Sequence, residues 1–544
     1  MTADLLLSGG RIFRGLALGF TDALAVKDGR VLALGDAARA AAGPATRRFD
    51  LAGRVAIPAF NEAHMHLLPY GLGLAQVNLR AEEVRTLDEV LRRIRAAAQA
   101  APKGAWVIGR GYDHGALDVG RHPTAAELDA AAPDNPVFIL RSCGHMGVAN
   151  TAAMRLAGVG HNTPDPQGGV IGRRGGTLTG LFQERAMKIV RDAMPPPDQA
   201  RMVEAIAAAS AHLASLGFTS ATDLNVGMTA GIAEVEAYEA AKASGRLGLR
   251  MWQVLAGDPE GIAEECWTRG MRPMDGDDLL RWGAMKVLAD GSAGGLTAAF
   301  FEPYLAAAGG GTGILTFPDE TMHALLRLHH ERGWQLDIHA IGDAAIEQVL
   351  RGMEAADSAA HPVCGRRHRI EHCGFVTRDQ RRRMKARGIL PVPQPVFIYE
   401  FGDLYVRNLG PERSERAYPM RTWLAEGHHP SASSDCPVST VDPFVNLFAM
   451  LTRRTNRGTV MGQEERLTAE EAVHCSTWCG AYSQFAEDRR GTLEAGMQAD
   501  IAVLSQDIFA IEPEAVLTTR ADLTLRDGAP IFDRHGTLSA LAAQ

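Results

Sequence analysis

Residues 320–343 read ETMHALLRLHHERGWQLDIHAIGD. A helical stretch, ETMHALLRLHHERG, runs into a brief apolar segment, WQLDIHA, whose end carries His339. The pairing recurs on either side. LDEVLRRIRAAAQA (87–100) precedes AWVIGR, and MVEAIAAASAHLASLG (202–217) precedes FTSATD. DQRRRMKARG (379–388) precedes ILPVPQ, and RTWLAEG (421–427) precedes a short run ending in SSDCP. Helix then strand, repeated, is the cadence of an α/β protein, a barrel or an open sheet. It extends over roughly 400 residues, which suits a barrel with long loops after its strands.

The two ends of the chain read differently. DLLLSGGRIF (4–13), DALAVKDGRVLALG (22–35) and TRRFDLAGRVAIP (46–58) are short strands bent at Gly9–Gly10, Asp28–Gly29 and Gly53. RRGTLEAGMQADIAVLS (489–505) and ADLTLRDGAPIFDRHG (521–536) supply matching material at the other end. Residues 1–58 and 486–544 are therefore expected to build one small β domain beside a barrel spanning 59–485. Between about 110 and 200 the cadence gives way to Gly- and Pro-rich sequence such as GYDHGALDVGRHP and HNTPDPQGGVIGRRGGTLTG. Such an insertion is read as a lid on the active face.

The 544 residues are 46% apolar and 22% charged, with a net charge of -8. That field does not favour nucleic acid. The basic run around Arg378–Arg383 reads as a solvated helix face. The start, MTADLLLSGG, lacks the features of a signal peptide, and no run approaches the ~20 apolar residues of a membrane span. Seven scattered cysteines argue against a disulfide framework. Cys475 and Cys479 read as buried small residues rather than ligands. The expectation is a cytoplasmic protein with a small-molecule partner, no nucleic acid and no membrane. A homodimer is the default assembly.

Candidate chemistry begins in RVAIPAFNEAHMHLLPYG, where His64 and His66 follow an apolar run. On an extended strand, residues two apart point the same way, so both imidazoles can converge on one ion. A lone His-x-His is a weak signal. The context repeats, with Lys286 in WGAMKVLADGS, His339 in GWQLDIHAIGD, His372 in HRIEHCGF and Asp435 in SASSDCPV. Singly, these are a core histidine, a capping aspartate or a snorkelling lysine. Together they place ligand-capable groups at the ends of separate strands, as barrels build their sites. Imidazole and carboxylate suit zinc, manganese or iron. Beside a cation the pKa of Lys286 falls, and the neutral amine can take up carbon dioxide as a carbamate able to bridge two metals. Trp106, Tyr112, Tyr70, Phe397 and Tyr399 are candidates for an apolar pocket, although core packing accounts for each of them as well.

The motifs NEAHMH, KVLADGSAGGLTA, DIHAIGDAAI, RIEHC and SDCPVSTVDP, with the closing GTLEAGMQADIAVL, make the chain resemble the amidohydrolase superfamily. The likeness is closest to its Amidohydrolase-3 branch of N-substituted formamide deformylase-like hydrolases. The resemblance implies a distorted (β/α)8 TIM-like barrel with a small β-sandwich formed by both termini. It implies metal ligands His64 and His66 from strand one, carboxylated Lys286 bridging from strand four, and His339 and His372 from strands five and six. Asp435, after strand eight, would contact metal and water. His145, in SCGHMGVAN, would lie near the substrate. The branch more often has Asp-Ser where Asn61–Glu62–Ala63 stands and Gly-Ser-Asp where Ser433–Ser434–Asp435 stands. These departures leave the ligands and alter their surroundings.

The implied activity is hydrolysis of a non-peptide C–N bond, in an N-acyl or N-formyl amine or a cyclic amide. One or two divalent ions would activate water; zinc is the first choice, with manganese, iron or cobalt as alternatives. Asp435 would move the proton and His145 would help stabilise the developing charge. A metal-assisted decarboxylase or other lyase on the same scaffold is the runner-up, separable by label incorporation from isotopic water. A catalytically inactive binding protein is the third reading, marked by bound metal with no water-accessible position.

Overall fold

A computed structural model describes residues 1–80, 83–141 and 146–538. The chain divides into two compact units, one of residues 1–71 and 199–544, the other of residues 72–198.

In the first unit, seven strands lie side by side, all parallel: β1 (Phe60–Met65), β2 (Phe218–Val226), β3 (Arg250–Ala256), β4 (Leu280–Leu288), β5 (Gln335–Ala340), β6 (Arg369–His372) and β7 (Leu390–Val392). Residues 431–436 complete the ring. Ser433 N–H donates to Pro393 O beyond β7 (3.0 Å), and Asp435 N–H donates to the carbonyl of His64 on β1 (2.7 Å). An isolated parallel bridge joins Met65 and Cys436. The result is a nearly closed barrel of parallel strands within a mixed α/β fold.

The deciding stretch folds as its letters dictate. Asp319–Glu331 is a helix that buries Met322, Leu326, His329 and His330, the i, i+4, i+7, i+8 stripe of an amphipathic helix. Gly333, at φ 92°, ends the turn, and β5 follows. Leu336, Ile338 and Ala340 then share one face of β5, while Gln335, Asp337 and His339 share the other. The run LDEVLRRIRAAAQA–AWVIGR shows the limit of the cadence. It does form a helix and a strand, Val107–Tyr112, but that strand belongs to a different sheet.

Strands from both ends of the chain meet in one hydrogen-bonded sheet of eight. Val55–Pro58 pairs antiparallel with Ile501–Leu504, joining the five amino-terminal strands to the three carboxy-terminal ones. Asp28 and Gly29 both take left-handed conformations (φ 49° and 76°), as a two-residue hairpin turn requires. Leu5, Leu7, Leu24, Val26, Ile501, Val503, Leu523 and Leu525 form its apolar core.

The second unit contains a six-stranded mixed sheet. The Gly- and Pro-rich stretch 110–200 carries part of it, including the hairpin Gly169–Arg174 and Thr177–Glu184. No helix among the described residues is long and apolar enough to cross a membrane.

Candidate metal centre

β1 delivers His64 at its end and His66 just beyond it. His64 is 1% exposed. Its Nδ1 meets Glu371 Oε2 at 2.6 Å, and its Nε2 lies 3.1 Å from Asp435 Oδ1. The Nδ1 of His66 meets the carbonyl of Leu224 at 2.7 Å, and its Nε2 lies 3.2 Å from the same Asp435 oxygen. His372 Nδ1 meets Gln394 Oε1 at 2.6 Å. The ring of His372 stands 4.9 Å from that of His64 and 4.3 Å from that of His339. His339 is turned the other way, with Nε2 3.0 Å from Gly291 O and 3.2 Å from Asp290 Oδ1. Lys286 lies in β4 and is buried. One ligand atom each from His64, His372 and Asp435 lie within 4.8 Å of one another. His145 lies outside the described residues.

Two of these groups owe their aim to unusual backbone. Strict alternation along β6 would set His372 on the face opposite Arg369 and Glu371. At His372 φ is 65°, which breaks the alternation at the last residue. Asp435 has φ 57°. Left-handed conformations at non-glycine residues cost on the order of 1–3 kcal/mol and persist where the surroundings enforce them.

The donor pattern tests whether a cation fits. Glu371 Oε2, Leu224 O and Gln394 Oε1 only accept, so the Nδ1 atoms of His64, His66 and His372 carry the protons. Gln394 is oriented by its amide, which donates to Val392 O and Ser433 Oγ, both at 3.0 Å. Three Nε2 lone pairs are thereby left on the site side. His339, with Nε2–H engaged by Gly291 O, presents Nδ1 instead. Asp435 Oδ1 is buried between two imidazoles and has no partner besides them among the described residues. Imidazole lone pairs converging on a buried carboxylate oxygen repel it and one another unless a positive charge, a proton or a metal ion, lies among them. The residues present fit a divalent cation.

The electrostatics agree. Burial alone would lower the pKa of His66, but the Asp435 carboxylate, with Asp223, outweighs it and holds the imidazole above its usual 6.5. Burial lowers the Lys286 amine below 10.5, although Glu371, Asp435 and Asp337 oppose the shift. Burial pushes Glu62 up to about 8.

Several groups surround the proposed ligands; of these, Asp223 stands in sequence as a strand-end residue in TSATD to which no role could be assigned. Asp223 caps the chain after His66, accepting from Leu67 N–H (3.0 Å) and from the Tyr238 hydroxyl. Asp290 accepts from Ile341, Gly342 and Ala299 N–H, fixing the loop after β5. Glu62 Oε1 accepts from both His64 N–H (3.1 Å) and Ser434 N–H (2.9 Å). Their one sequence signal is position, since each stands beside a motif ligand. Of the aromatic candidates, Phe397 stacks near His372 with centroids 6.1 Å apart, and Tyr112 is wholly buried in the core of the second unit.

A sequence model of the amidohydrolase family matches residues 47–532. The Bacillus subtilis (strain 168) protein named as amidohydrolase YtcJ is 30% identical over 535 residues, covering 97% of this chain and 99% of that protein. N-substituted formamide deformylase of Arthrobacter pascens is 30% identical over 532 residues, 95% of each chain. A solved structure from Pyrococcus furiosus, described as an uncharacterized metal-dependent hydrolase, is 28% identical; the match covers 93% of this chain and 99% of that one, with a TM-score of 0.76. Matched along nearly its whole length, this chain belongs to the amidohydrolase family and is a hydrolytic enzyme.

Proposed function

We propose that the enzyme hydrolyses a non-peptide carbon–nitrogen bond, in an N-acyl or N-formyl amine or a cyclic amide, at His64, His66, Lys286, His339, His372 and Asp435. The observation that carries this reading is the buried Asp435 Oδ1 set 3.1 and 3.2 Å from two imidazole Nε2 atoms. The deformylase relative, similar over 95% of the chain, supports the substrate class.

A divalent cation, zinc by preference and manganese, iron or cobalt otherwise, would polarise the scissile carbonyl and acidify water when bound. His64, His66 and Asp435 would hold one ion; His339 and His372 would hold a second. Lys286, its amine neutral, would add to carbon dioxide, losing one proton and gaining two carboxylate oxygens to bridge the pair. Asp435 would take the proton of the attacking water and return it to the departing nitrogen, because an amine leaves poorly unless protonated. Cys266, Cys364, Cys373, Cys475 and Cys479 form no disulfide, which supports a reducing, cytoplasmic setting.

The test is turnover of N-formyl amines, N-acyl amines, cyclic amides and ureas in isotopically labelled water, with metal quantified in the same samples. Label in the carboxyl product, lost together with metal in the His64→Ala and His372→Ala variants, is expected. Decarboxylated, unlabelled product would overturn the reading, as would full metal and turnover in every ligand variant.

A further inference from the structure

The barrel interior below the proposed ligands holds a chain of charges that the reaction itself does not use. Arg369 Nε donates to Glu371 Oε1 at 2.7 Å. The other oxygen of Glu371 receives the Nδ1 proton of His64 at 2.6 Å. A second guanidinium nitrogen of Arg369 donates to the carbonyl of Ala63, the residue before His64, at 2.7 Å. Arg369 and Glu371 are both 0% exposed. The other imidazoles have different supports: His66 a backbone carbonyl, His372 a neutral amide oxygen, and His339 a carbonyl with Asp290 beside it.

Neutralising Arg369 would not by itself require this geometry. Asp337 Oδ2 already stands 3.4 Å from the guanidinium, and a carboxylate serving only Arg369 would have no reason to spend its second oxygen on an imidazole. Both ends of the chain converge instead on one stretch, Ala63–His64.

We infer that Glu371, held by Arg369, is a positioning residue for His64: it fixes the Nδ1–H tautomer, aims Nε2 at the ion and strengthens it as a ligand. The inference rests on the metal site proposed above. A carboxylate accepting the outer N–H raises the electron density at the opposite nitrogen, and loss of such a partner typically weakens metal binding about 10–100-fold. Glu371 stands next to His372 in RIEHC, so one short strand both supplies a ligand and orients another from across the barrel.

Zinc affinity of the full chain, measured by competition with a chelator, tests this in wild type, His64→Ala and Glu371→Gln. The expected result is strong binding in wild type, severe loss in His64→Ala and about 10–100-fold weaker binding in Glu371→Gln. Wild-type affinity in Glu371→Gln, with loss in His64→Ala, would overturn the inference and spare the metal site. No binding in wild type, or full binding in His64→Ala, would remove the metal site itself. A fall in thermal midpoint of metal-free Glu371→Gln with unchanged zinc affinity would make Glu371 merely structural. Should that variant not fold, the wild-type protein still decides. Its nitrogen-labelled histidines should show a far-downfield Nδ1–H resonance that His64→Ala lacks, and absence of that resonance from wild type would refute the arrangement.

Discussion

Asp435 sets the behaviour of its neighbours. Without a cation, a proton on His66 relieves the repulsion around Asp435 Oδ1, which is why that imidazole stands above its usual 6.5. A zinc ion held as proposed would have to displace this proton. Apparent zinc affinity is therefore expected to fall about tenfold per pH unit once the pH drops below the His66 pKa, with protons released on binding. Calorimetry in buffers of different ionisation enthalpy would measure it, and an affinity indifferent to pH would contradict it. Glu62 gives a second pH signature. Its carboxyl stays protonated in the metal-free folded protein up to about 8 but ionises near 4.5 in the unfolded chain. The unfolded state thus binds fewer protons across that window, and stability declines as pH rises through it, by at most ~1.4 kcal/mol per unit. Glu62→Gln keeps an oxygen for the His64 and Ser434 N–H groups and cannot ionise. Its unfolding curves should lose less stability across the window than wild type; parallel curves would mean that Glu62 titrates normally. The proposed ligands could be picked out in sequence because imidazoles and a carboxylate after apolar runs form a pattern. The roles of Glu62, Asp223, Asp290 and Gln394 could not, because a buried acceptor is recognised by the N–H groups it faces, and those come from segments far apart in sequence; Asp223 stood out only as a strand-end residue.

At the scale of elements, the helix–strand cadence was readable because each helix announces its buried face by spacing. Sheet membership was not. Val107–Tyr112 has the letters of a barrel strand, yet it pairs with Val137–Arg141 in the second unit, a choice made by tertiary partners. Residues 431–436 show the reverse: they form no regular strand but fill the eighth position through a few backbone bonds. Packing between strands sets its own constraint at Gly283 on β4. A Cβ there would fall 2.0 Å from the indole of Trp252 on β3, and Trp252 is 2% exposed. Gly283→Ala should destabilise by about 1–3 kcal/mol through overpacking. A thermal midpoint equal to wild type would show that Trp252 repacks freely.

At the scale of the whole chain, Arg250 couples the floor of the barrel to the sheet built from both termini. It is 5% exposed and reaches Asp500 (3.1 Å), Asp527 (2.6 Å) and Asp278. Arg490 adds a second cation to Asp278 at 3.1 Å. Of the three carboxylates only Asp500 is buried, and removing its cation leaves that charge uncompensated, at a cost of roughly 3–5 kcal/mol. Arg250→Met should lower the urea midpoint accordingly, and an unchanged midpoint would show that the carboxylates find other partners. The joining of the two termini could be read from matching strand material at both ends. The arginine hub could not, since Arg250 and Asp500 lie 250 positions apart.

The bond from Asp435 N–H to His64 O means that the first and last strand positions of the ring are stitched together at two of the proposed metal ligands. A nascent chain released before residue 435 would possess four imidazoles and no working centre. Two fragments divided in the loop before residue 431 would be silent apart and regain turnover only on docking. With the ligands proposed above, hydrolysis would report that residues 431–436 have docked between the first and last strands.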